Sequence, residues 1–73
     1  MKLYELYVAL NDEAIEAIDQ VERATADGEE LKAHELTAKR NELVRIIVSL
    51  NAVLDEPEYA EDLRKLRKMG LRP

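Results

Sequence analysis

Apolar residues return along the first third of the chain at Leu3, Tyr7, Leu10, Ala14, Ala17/Ile18 and Val21, in alternating steps of four and three. That rhythm keeps one face of an α-helix in phase. A second line, Tyr4, Val8 and Ile15, widens the face, while Lys2, Glu5, Asp12, Glu16, Asp19 and Arg23 fall on the other side. Asn11-Asp12-Glu13 looks like a helix start, but the phase runs through it unbroken, so one helix over about residues 2–26 is predicted. Asn11 then points near the apolar face, as a buried polar side chain wanting a partner.

Asp27-Gly28-Glu29-Glu30 ends that helix and begins the next. Gly28 can take the left-handed conformation that closes a helix, and Asp27 with Glu30 has the spacing of a capping box. So short a link predicts antiparallel helices. The second helix, about residues 29–54, carries the stripe Ala33, Leu36, Arg40, Leu43, Ile47, Leu50 and Leu54. Arg40 occupies an apolar position, where its stem can lie along a groove while its head reaches water. Within Leu43–Leu54, nine of twelve residues are apolar. A helix apolar nearly all round is expected to be covered on more than one side.

Asp55-Glu56-Pro57 breaks the chain, and Pro57 suits the first turn of a helix because its missing N–H would be unpaired there anyway. A third helix of about residues 57–69 follows, with Tyr59, Leu63, Leu66 and Met69 inward and Gly70 as its stop. Acidic residues fill its first half and basic ones its second, an order that suits the helix dipole. The expected fold is all-α. Two long matched helices, each about 38 Å at 1.5 Å per residue, form an antiparallel hairpin within one domain, residues 1–73. The third helix packs at the end holding the N-terminus, gathering Tyr4, Tyr7 and Tyr59 there, and the Asp27-Gly28 end is a thinner two-helix hairpin. Few apolar anchors make the third helix the least stable element, able to open for a partner helix.

Composition narrows the function. The chain has no cysteine and one histidine, which excludes a disulfide framework or a Cys/His metal site. Charged residues make up 37% and the net charge is −5, so a general nucleic-acid binder, which needs a basic footprint, is disfavoured. The longest strongly apolar run is too short to span a bilayer, which takes about 20 residues. MKLYELYVAL, with Glu5 inside its apolar region, is a poor signal peptide. The cytoplasm is the expected location.

Four groups of residues invite a chemical reading. His34 with Glu30 one turn before it is two ligands where a metal site needs three or four. Glu13, Glu16 and Asp19 have the spacing of two-metal helical phosphohydrolases, but the second helix offers only Glu35 and Glu42 and no matching motif. No enzyme, metal or cofactor is therefore expected. Arg64, Lys65, Arg67, Lys68 and Arg72 form a basic C-terminus diluted by Glu58, Glu61 and Asp62. The uncovered apolar positions carry most weight, since two helices alone cannot bury two wide faces. Ile15, Val21, Leu31, Leu36, Leu63 and Leu66 are the candidate partner-binding residues, and a homodimer is one way to cover them.

At Leu31, Leu36, Arg40, Leu43 and Leu50 the second helix resembles small helical-hairpin export chaperones: those of the flagellar filament cap and hook junction, and the co-chaperones of type III needle subunits. The resemblance covers residues 27–54 and rests on a leucine-and-arginine pattern. It implies an acidic cytoplasmic protein that shields an amphipathic helix of its client. MKLYEL also resembles the opening of small phage-encoded helical proteins. The expected function is a non-enzymatic protein–protein interaction module, a chaperone or adaptor. The alternative is a regulatory subunit of a nucleic-acid-processing complex that acts through the basic C-terminal helix.

Overall fold

A computed structural model describes residues 2–71 of the chain. Helix α1 spans Leu3–Ala26, α2 spans Glu30–Leu54, and a single 3-10 turn, Pro57–Tyr59, leads into α3, Ala60–Lys68. The fold is the expected all-α hairpin, 46 × 21 × 19 Å, with α3 folded back against one end. Helix α1 runs through Asn11 without interruption. Asn11 is half-buried rather than buried, and no buried side-chain oxygen or nitrogen among the described residues lacks a partner.

The two sharp stops are both glycine-made. Gly28 and Gly70 each sit at φ +75°, where a side chain would be strained. After α1, the Glu29 N–H donates to the Ala24 carbonyl (2.9 Å) and the Gly28 N–H to that of Thr25 (3.2 Å). After α3, Leu71 repeats the pattern onto Leu66 (3.0 Å) and Gly70 onto Arg67 (3.0 Å). Both are Schellman closures, and the second brings Leu71 against the core that Leu66 fills. The expected Asp27–Glu30 capping box does not form. Asp27 is spent as the C-cap of α1, and Glu29 precedes α2 without a side-chain cap bond.

The N-terminus of α1 is capped from a distance. Lys2 offers no capping side chain, but the Asp62 carboxylate of α3 accepts from the Tyr4 backbone N–H (3.4 Å). A carboxylate there satisfies an otherwise unpaired donor and faces the positive end of the helix dipole. One turn on, the Lys65 ammonium lies 4.5 Å from the centre of the Tyr4 ring, a cation–π contact. Helix α3 thus grips α1 by two polar contacts as well as by Leu66.

Two clusters make up the core. At the α3 end, Tyr7, Leu54 and Leu66 are buried, with Leu3, Tyr4, Val8, Ile47, Leu50, Tyr59 and Leu71 packed around them. The three tyrosines therefore gather as expected. Toward the middle, Ala14, Ala17 and Leu43 are buried, flanked by Leu10 and Ile47. Beyond them only Ala24 is buried, so the Asp27-Gly28 end is the thin hairpin the sequence predicts. The stretch Leu43–Leu54 departs from expectation. Its ends are buried, but Val44 and Val48 are exposed because α3 reaches only part of the way along their flank, and Ile46 is exposed on the opposite flank, which α3 does not cover.

Candidate functional site

The seam of the hairpin uses every third and fourth residue, so positions seven apart share a face. On α1 one flank of the seam is Tyr4, Asn11, Ile18 and Thr25, with Val8, Ile15 and Glu22 beside it. On α2 the corresponding flank is Thr37, Val44 and Asn51, with Val48 beside it. In an antiparallel pair these two flanks fall on the same side of the hairpin. Two contacts bear this out: Tyr4 and Val8 pack in the cluster that holds Leu66, and Thr25 and Thr37 line one shallow depression with Ala33 and His34. Helix α3 and that depression therefore mark the two ends of a single face.

Between them the face is apolar and open. Ile15 is 59% exposed, Ile18 42%, Val44 44% and Val48 60%. Met69, at the end of α3, is 52% exposed. Half-buried Asn11 sits on the same flank, one heptad before Ile18. The opposite face differs. Leu6, Ile46 and Val53 give it an apolar end, and Glu13, Gln20, Lys32 and Lys39 follow along the same flanks. A second shallow depression there is lined by Gln20, Arg23, Asp27 and Lys32 and is polar in character.

The six predicted partner-binding residues do not form one patch. Ile15 lies on the open face. Val21 and Leu36 are half-buried in the seam, and Leu63 is half-buried. Leu31 is 75% exposed, but its place in the heptad puts it on the outer side of α2, near the turn. Leu66 is fully buried with Tyr7 and Leu54, so it belongs to the interior and meets no partner. Ile18, Val44 and Val48 were not among the predicted set. In the sequence Ile18 stands on the first apolar line of α1, and Val44 and Val48 stand in the stretch 43–54 that is apolar nearly all round.

The other candidates resolve into local contacts. Asp19 pairs with Arg23 at 2.8 Å, and Glu16 accepts a hydrogen bond from Gln20 (3.4 Å). No group of three or more possible metal ligands occurs among the described residues. In the basic C-terminal segment, Lys65 is held on Tyr4 and Arg64 lies 3.7 Å from Glu61, while Arg72 lies outside the described residues. Arg40 turns its guanidinium to the Asn41 side-chain oxygen (3.1 Å) at the rim of α2. No described helix is long and apolar enough to cross a membrane. Comparison with protein-family models, with characterised proteins and with solved structures finds no match to this chain.

Proposed function

We propose that this chain is a non-enzymatic protein–protein interaction module, a small cytoplasmic adaptor or chaperone that holds an amphipathic helix of a partner. One observation carries the reading: Ile15, Ile18, Val44 and Val48 are exposed together on the face that α3 covers only in part. Scattered apolar residues on a surface need no explanation, whereas a contiguous set beside a packed helix is the usual form of a helix-binding groove. The likeness of α2 to export chaperones agrees with this use. Self-association through the same face is the competing use.

A photo-crosslinking residue placed at Val48 or Ile15, in native lysate, tests the proposal. Discrete adducts heavier than a doubled chain are expected at both positions and not at Ser49, which lies on the outer side of α2. Adducts of doubled mass alone would assign the face to a homodimer. The same weak adducts at all three positions would remove the face from consideration.

A further inference from the structure

We draw no further inference here: the strongest candidate, the apolar face of α1 and α2 left open between α3 and the Asp27-Gly28 turn, where Ile15, Ile18, Val44 and Val48 are exposed, carries nothing further because nothing in the structure shows what covers it.

Discussion

The two halves of the hairpin solve the same packing problem with opposite side chains. At the α3 end the buried residues are large: Tyr7, Leu54 and Leu66. In the other half they are Ala14, Ala17 and Ala24, with Leu43 the one large exception. Three helices enclose a space between them that only large side chains fill. Two helices enclose nothing and have only a line of contact, so water is excluded by bringing the backbones close, which small side chains permit. Where one solution hands over to the other, apolar residues sized for a third helix continue past the point where α3 stops. Ile15, Ile18, Val44 and Val48 are those residues. The open face is a consequence of the change in construction along the hairpin.

The largest effect expected from this contrast is at Leu66. Its side chain is fully buried, so Leu66→Ala should destabilise the fold by about 2–5 kcal/mol in urea unfolding. For a chain this small, that is much of its total stability. Helix α3 is then a wall of the core and not a loose cover, and a chain ending at Asp55 should lose its cooperative melt. A loss below about 0.5 kcal/mol, the range of ordinary surface changes, would place the core elsewhere. The alanine half should fail in the opposite sense. Ala17 is 1% exposed, and Ala17→Leu should cost about 1–3 kcal/mol by forcing the helices apart. A neutral or stabilising result would show room in the seam, and the two halves would not differ in construction.

Much of this was legible in the residues. The alternating steps of four and three from Leu3 to Val21 and from Ala33 to Leu54 place both long helices within a residue of where they are found. Gly28, Pro57 and Gly70 mark the breaks because each does something no other residue does as cheaply. The spacing of a capping box at Asp27 and Glu30 does not produce one, because Asp27 stands at a junction where one residue closes α1 and cannot also open α2. Asp62 capping α1 was beyond sequence reasoning altogether, since its partner N–H is 58 residues away in the chain. The functional face was half legible. The apolar line through Ile15 was visible, but whether Val44 and Val48 are core or surface depends on how far α3 reaches. Nothing local in α2 records that length.

The smallest effect concerns the turn that builds the large-residue end. Glu56 precedes Pro57, and its carbonyl accepts the Tyr59 N–H at 3.0 Å. The hydrogen bond between the Glu56 and Glu58 carboxyls, followed by desolvation and the repulsion of Glu58, holds the Glu56 carboxyl above its ordinary range. A proton shared by two carboxyls is favourable, and two neighbouring negative charges are not. The folded-state pKa thus stands above the unfolded one. This group favours the fold most fully below its unfolded value, and that contribution is lost as pH rises through the folded value. Glu56→Gln supplies a permanent donor to Glu58 and removes one charge. Relative to the parent, the variant's melting temperature should therefore improve as pH rises through the raised folded-state pKa of Glu56. Because the pair is open to solvent, the difference should be small and should shrink further as salt is added. A variant that instead loses ground to the parent as pH rises would mean that Glu56 is better ionised in the fold, and that the turn is held by something other than this shared proton.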